Sequence, residues 1–430
     1  MLAQRVAVVG GGVGGLAVAN ALMRKGLDVQ VYEKAPFFSP SAGAGFMLQP
    51  NGLACLRELG LPSKQLEALV HPLYEMIMVG QGGKELARSS AFADIHAMYG
   101  LPVGGVERSK LIAALAEPLT KAGRVTHNMR AVHAEQDANA ARVTFSCGTV
   151  AEADLIIGAD GVHSALADAL DEQLAPAFPP NPPPSVRELL WFGIVDCGTP
   201  FQHPGLAREN ALLEDLSRDE FIAYRLGTAG EPGPAPLTWT LTHRPATTMD
   251  ANEFSTEWCD SCAGIQAATL LRDHLTSAGF HADHPIHEVA RNTFPGRLWH
   301  FPLAHRAHRE AWYSGRIALL GDACHPTLPY AAQGANMALE DAVVIADCLF
   351  NAPHLEAALS QYVDRRHART KAVVDLAESN GELLRSRSSH ALTTARDAVL
   401  GAVVSSGLAG KAFENVIDGC PVTIKPPQWP

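Results

Sequence analysis

The chain has no hydrophobic run long enough to cross a membrane, because glycine, serine or charge interrupts its most apolar stretches. It also lacks a charged tail, an internal repeat and a low-complexity tract. Positive charge is in deficit: the formal net charge is −11, which argues against binding a nucleic-acid backbone. There is no cysteine framework. Eight cysteines are scattered over 430 residues, the pattern of free thiols in a reducing compartment. Cys259 and Cys262 in WCDSC resemble a redox pair, but no second CxxC and no thioredoxin-like strand accompany them. They read as two thiols at a polar helix start. His300, His305 and His308 match no metal-ligand spacing and read as a solvated loop, so no metal is expected. The first strand begins at once, leaving no room for a signal peptide, and a cytoplasmic location is expected.

What is present is a globular composition, 47% hydrophobic and 18% charged, at a length that suits two domains. The most informative stretch is RVAVVGGGVGGLAVANALMRKGLDVQVYEK, Arg5 to Lys34. An apolar strand enters Gly10-Gly11-Gly12-Val13-Gly14-Gly15, a helical pattern follows, and a second strand ends in Glu33 and Lys34. In such a unit Gly10 makes the tight turn, Gly12 lets the backbone approach a pyrophosphate, and Gly15 lets helix and strand pack closely. The helix N-terminus offers unpaired N–H groups to phosphate. Glu33 follows Gly10 by 23 residues, the place of the acid that binds a ribose hydroxyl. Its charge would repel a 2′-phosphate, so FAD or NAD is expected rather than NADP.

Further along, Phe46 to Leu61 reads as a strand, a turn at Pro50-Asn51-Gly52 and a helix. Strand-like pieces surround Tyr74 to Val79, with a turn at Gly82-Gly83. A helix is expected from Ser109 to Ala122, a β-meander from Val125 to Phe145, and a buried strand before Asp160. Pro176 to Ser185 breaks the chain as a connector. Beyond it, ELLWFGIVD, EFIAYRLGT and LTWTLTHR read as half-buried antiparallel strands, and residues 253–279 as a helix pair. IALLGDA is a buried strand delivering Asp322. Helices are expected over Asn336–Phe350, Leu355–Leu384 and Ala391–Ala412. The domain expectation is therefore discontinuous. Residues 1–70, 103–178 and 302–365 form a nucleotide domain, 71–102 and 179–301 a substrate domain, and 366–430 C-terminal helices.

Two more motifs stand in register with the first: Gly158-Ala159-Asp160-Gly161 through Ser164, and Gly321-Asp322-Ala323-Cys324-His325-Pro326 through Pro329, Tyr330, Gln333, Gly334, Ala335 and Asn336 to Glu340-Asp341-Ala342. The loop with its prolines and glycine is rigid and can approach a flat ring. The helix after it points N–H groups that can stabilise negative charge on a reduced flavin. In order and detail the three motifs resemble the group A flavin-dependent aromatic monooxygenases, the p-hydroxybenzoate hydroxylase fold, and are similar to salicylate and 6-hydroxynicotinate-type hydroxylases.

The resemblance implies an α/β protein: a Rossmann-like FAD-binding domain, an inserted antiparallel β-sheet substrate domain and a C-terminal helical region. It implies that Gly10, Gly12, Val13, Gly14 and Gly15 cradle the FAD pyrophosphate, with Glu33 and Lys34 at the adenosine ribose. Ala131 meets the adenine, Arg108 the pyrophosphate or ribityl chain, and Asp322 the ribityl hydroxyls. Asp160 supports the second turn. Pro329, Gly334 and Asn336 border the isoalloxazine, and Gly45 and Ala335 also bind the cofactor. It implies hydroxylation of a small aromatic or heteroaromatic substrate with O₂, through a flavin C4a-hydroperoxide. Only one dinucleotide fingerprint exists, so NADH or NADPH is expected as a transient co-substrate. Tyr330, Tyr224, Met47 and Pro329 are the candidates at the substrate, with Trp239 and His243 on a neighbouring strand. Arg225 alternates away from Tyr224, toward a surface ion pair, and His325 reads as structural. A monomer or homodimer is expected. Same-fold epoxidation or another redox reaction, and a non-catalytic flavin-binding protein, are the alternatives; the Trp-x-Trp-x-Ile-Pro signature of halogenases is missing. The chain departs from the family where Ala167 replaces an arginine, in Trp191-Phe192-Gly193, and at Met47 and Tyr330, where 6-hydroxynicotinate-type enzymes place histidines.

Overall fold

A computed structural model describes residues 4–39, 43, 45–80, 83–174, 180–182, 184–196, 200–216, 219–231, 233–244, 249–250, 264–384, 390–424 and 429. The WCDSC pair, the first half of the expected 253–279 helix pair and much of the proline connector lie outside them.

Strand Arg5–Val9 is apolar and buried on both faces from Val6 onward, as a central parallel strand must be. Strands Asp28–Tyr32 and Leu155–Gly158 flank it in parallel, and Ile317–Leu319 continues the sheet beyond the latter. Val125–Thr126 and Tyr313–Ser314 complete a six-stranded sheet at its two edges. The three motifs thus leave adjacent strands at one end of one sheet. Helices Val13–Arg24 and Gly334–Asn351 pack against each other beside it. The expected meander begins later than read. Val125–Thr126 serves the parallel sheet, and the meander proper is Ala131–Gln136, Ala141–Phe145 and Val150–Ala153.

A second sheet has eight strands. In order they are Met249–Asp250, Ser185–Val195, Leu237–His243, Glu220–Arg225, Ala211–Asp215, Glu75–Val79 and Glu85–Ser89, with Leu298–His305 on the other side of Ser185–Val195. It is antiparallel except where Ala211–Asp215 runs parallel to Glu75–Val79. A small sheet of Gly45–Leu48, Val103–Glu107 and Val70–Leu73 joins the two regions. Gly45 presses on Thr238, and Gly105 on Tyr224 and the Arg225 carbonyl, so closely that a β-carbon would collide at either position.

Pro50-Asn51-Gly52 is not a turn: Pro50 opens the helix Pro50–Glu58, where its missing N–H costs nothing. A helix at Ala91–Tyr99 and strands Ala211–Asp215 and Leu298–His305 were not anticipated. Helix Leu355–Leu384 has the expected bounds. The last expected helix is two, His390–Ser405 and Leu408–Asp418, parted at Gly407 with φ +78°. Among the described residues, no helix is long and apolar enough to cross a membrane.

Candidate active site

Parallel strands deliver Gly10, Glu33, Asp160 and Asp322 to the same end of the sheet. Gly10 has φ +107°, and a β-carbon there would lie 2.3 Å from the Ala159 carbonyl oxygen. A β-carbon on Gly15 would lie 1.9 Å from the Gly10 carbonyl oxygen, so helix and strand are in contact through bare backbone. Gly12 differs: a β-carbon there would meet nothing within 4 Å. It caps helix Val13–Arg24 with no side-chain bond to the first-turn N–H groups. Open space over an uncapped helix start is what a pyrophosphate requires. The Glu33 carboxylate accepts the Gly11 N–H at 2.6 Å and the Ala35 N–H at 2.8 Å, fixing it at the rim of this turn.

Arg108 and Asp322 are exposed and Asp160 half-buried, yet the protein crowded around each disfavours its charged form. Enclosure raises the Asp322 carboxyl, opposed by His325 and Arg108, and lowers Arg108, opposed by Glu33 and Asp322. Arg108 thus lies within electrostatic reach of both Glu33 and Asp322. Asp160 accepts the N–H of Ala165 at 2.9 Å and of Leu166 at 3.4 Å, and the Ser164 hydroxyl donates to it, so it caps helix Ala165–Leu174. That helix lacks the family arginine at Ala167. Buried Arg306 and Arg309, from a distant segment, supply the charge instead. Arg306 reaches Asp168 at 3.1 Å, and Arg309 binds Asp171 and donates to the Ala167 carbonyl at 3.3 Å. Lys34 lies near His163, which burial lowers, and Ala131 opens its meander strand opposite Phe145.

The loop after Asp322 is held from three sides. Pro329–Ala331 forms one short helical turn with Pro329 exposed, and Ala332 is left-handed at φ +50°, uncommon for a residue other than glycine. The Asn336 side chain donates to the carbonyls of Met47 at 3.2 Å and Ala332 at 2.8 Å, and accepts the Gln49 N–H at 3.0 Å. Asn51 donates to Gln333 at 2.9 Å and Glu340 at 2.7 Å. Glu340 and Asp341 both bind the fully buried Arg366, and Asp341 also binds His325 at 2.6 Å. Burial works upward on Asp341, but His325 and Arg366 outweigh it and hold the carboxyl at about 2. Helix Gly334–Asn351 starts with no side-chain cap, so Gly334 and Ala335 turn free N–H groups toward the loop.

The eight-stranded sheet has two unlike faces. Opposed residues in antiparallel strands share a face. Register therefore groups Glu188, Leu190, Phe192 and Ile194 with Thr238, Thr240 and Thr242, with Glu220, Ile222 and Tyr224, and with Trp299, Phe301 and Leu303. This inner face packs with Met47 and the C-terminal helices through Ile194, Leu212, Tyr224, Leu400 and Ile417. Trp191, Trp239, His243 and His300 lie on the opposite face, against helix Ile265–Ala278 and its neighbours. Trp239 and His243 are thus turned away from the loop: Trp239 donates to Thr293 at 2.8 Å, and His243 and His300 each stack on Trp191, at ring-centroid distances of 4.5 and 4.0 Å. The expected solvated histidine loop is ordered and largely buried. His305 ends the same strand and binds Glu378, and His308 meets Thr370 at 2.9 Å. The Arg225 guanidinium lies 5.1 Å over the Phe201 ring and donates to the Ala235 carbonyl at 3.2 Å. Asp215, His281 and His284 cluster at the outer edge. There His284 Nδ1 accepts the Ile286 N–H at 3.1 Å, which leaves the proton on Nε2 facing Asp215 at 3.6 Å.

Tyr330 and Tyr224 both reach the inner face. The Tyr330 hydroxyl donates to Glu188 at 2.6 Å, and Tyr224 is buried against Gly105 with its phenol pushed up by burial. Contacts therefore close a ring: Met47 to Asn336, along the loop to Tyr330, across to Glu188, along the inner face to Thr238, and back to Gly45. Glu188 was missed by sequence reasoning. Its signal was a single acid at the start of the apolar alternation Glu188-Leu190-Phe192-Ile194. Gln49 and Asn51 were missed because the segment read as a turn.

The sequence matches the FAD-binding domain family over residues 3–180 and 266–377. It is 31% identical over 373 residues to 3-amino-4-hydroxybenzoate 2-monooxygenase of Streptomyces platensis, covering 86% of this chain and 85% of that one. Identity to 6-hydroxynicotinate 3-monooxygenase of Bordetella bronchiseptica is also 31%, covering 87% and 91%. In fold it is similar to Klebsiella pneumoniae HpxO solved with FAD and uric acid, with TM-score 0.79, 24% identity and 97% of each chain covered. A salicylate hydroxylase substrate complex aligns with TM-score 0.68 and 20% identity over 96% of this chain and 98% of that one. Fold, sequence match and curated relatives agree, and neither alternative chemistry nor a non-catalytic role is favoured: the chain belongs to the FAD-dependent aromatic monooxygenases.

Proposed function

We propose that the ring of contacts between the Pro329–Asn336 loop, Met47 and the inner sheet face encloses the aromatic substrate, and that NADH or NADPH reduces FAD from the surface. That ring is the observation that carries the reading. Bound FAD would supply two-electron chemistry with nicotinamide and O₂. The chain's own residues do the rest. Gly12 and the uncapped helix start hold pyrophosphate, Glu33 a ribose, and Arg108 and Asp322 the linker between pyrophosphate and ring. The N–H groups of Gly334 and Ala335 stabilise negative charge at the flavin's edge. Pro329 and Asn336 fix the loop against the ring. Leu190, Phe192, Met47 and Tyr224 form an apolar wall that excludes water and orients the substrate. Tyr330, anchored on Glu188, stands where the substrate's polar group meets the loop.

The test is substrate-stimulated nicotinamide oxidation by the yellow holoenzyme under ¹⁸O₂, with candidate phenols and hydroxypyridines. Incorporation of one ¹⁸O atom into a hydroxylated product is expected. Stimulated oxidation with no label in any product would refute the reading. The glycine turn gives a second check. Gly12→Ala should fold normally, since its β-carbon enters open space, yet lose FAD affinity by at least about tenfold. Gly15→Ala should fail to fold, because its β-carbon meets backbone.

A further inference from the structure

The relatives are named for carboxylated rings, a benzoate and a nicotinate. The inner face of this chain is chemically different from a carboxylate receptor. Its polar groups include the side chains of Glu188, Glu220 and Glu214, all buried, the Tyr224 phenol, and the threonine row Thr238, Thr240 and Thr242. Among the described residues that the register places on this face there is no lysine or arginine; His305, at the end of strand Leu298–His305, shares the face but is bound to Glu378. Two arginines approach from outside. Arg244, an exposed side chain, comes within 3.7 Å of Glu188. Arg396 lies beside Glu214 but is held by Asp397 at 2.5 Å and by the carbonyls of Leu384 and Leu216.

Glu188 is the acid that matters most, because the Tyr330 hydroxyl ties it to the flavin loop at 2.6 Å. At 1% exposure it is beyond the screening of bulk water. A second anion brought beside it would be repelled at low effective dielectric. A donor would gain a charge-assisted hydrogen bond. Resting on the hydroxylase reading above, we propose that the substrate is a neutral or cationic ring that presents an N–H or O–H donor to Glu188, and that ring carboxylates are selected against. Tyr330 is the positioning residue that holds this acid at the reacting end of the pocket.

Matched ligands test this in the holoenzyme. 2-Hydroxypyridine is paired with 6-hydroxynicotinate, and 4-hydroxybenzylamine with 4-hydroxybenzoate. Each is titrated while following the absorbance of bound flavin and the stimulation of NADH and NADPH oxidation. The member without a carboxylate should act at a concentration about tenfold lower or more. In Glu188→Gln with full FAD content, the gap should shrink to about threefold or less, while Glu188→Asp should keep it. Preference of the native enzyme for the carboxylate overturns the proposal, and that comparison needs no variant to fold. An unchanged gap in E188Q overturns the assignment to Glu188. Response to neither member of any pair, with FAD bound, overturns the hydroxylase reading and this inference with it.

Discussion

The two faces of the eight-stranded sheet are built from alternate residues of the same strands and do different work. On Ser185–Val195 the outer set includes Trp191, which stacks with His243 and His300 over a helix-covered core. The inner set starts with Glu188, tied by Tyr330 to the Pro329–Asn336 loop, and continues through Leu190 and Phe192 to Ile194, opposite Thr238 and close to Gly45. The outer face buries large side chains for stability. The inner face keeps hydroxyl and carboxyl groups in a dry place at some cost in folding free energy. Which face a residue occupies, more than its type, decides its role.

Mutations should separate the faces. The largest effect belongs outside. Trp239→Ala empties a fully buried site and should lower unfolding free energy by about 3–5 kcal/mol in urea titration, leaving the ligand response of the surviving folded enzyme unchanged. Next comes acid. Burial holds His243 at about 4 and His300 at about 3, below the ordinary 6.5, so the native state keeps both neutral while the unfolded chain takes up protons. Their stabilisation is complete above pH 6.5 and is lost as pH falls toward 4 and 3, on the order of 1–2 kcal/mol each by pH 5. Thermal midpoints between pH 7 and 5 should fall, and a His300→Phe variant should fall less. On the inner face, Tyr330→Phe removes one donor from buried Glu188. It should cost about 1 kcal/mol or more in stability and raise KM for a donor substrate more than it lowers kcat. Smallest is Thr240→Val, expected within about 1 kcal/mol in unfolding free energy but altering ligand affinity severalfold. If Trp239→Ala changed ligand response as much as Tyr330→Phe does, the division between faces would fail.

The glycine turn was legible because each glycine answers a local steric demand that any such turn imposes: φ at Gly10, backbone contact at Gly15, open space at Gly12. The Asp322 loop was legible as a motif, yet what braces it was not, since Gln49, Asn51 and Arg366 come from segments far along the chain. Alternation correctly put Trp239 and His243 on one face. It carries no sign that says which face meets the Pro329–Asn336 loop, and the large aromatics proved to fill the helix-covered core. Helix Ala91–Tyr99 was hidden because Ser90 gives it no side-chain cap; Ser89 accepts the Ala91 N–H instead. Ala167 removed a known arginine, and only tertiary contact could reveal Arg306 and Arg309 in its place.

Helix Leu355–Leu384 grips the Pro329–Asn336 loop and the helix it leads into. Arg366 holds Glu340 and Asp341 behind it, and the Asn380 side chain donates to the Tyr330 carbonyl in front, at 3.2 Å. Fourteen residues of α-helix separate these handholds, roughly 21 Å of rigid rod. The helix is thereby a ruler for the loop. Losing one residue between the two grips would swing Asn380 by about 100° around the axis, so the count of residues in that interval is as constrained as the identity of those at its ends.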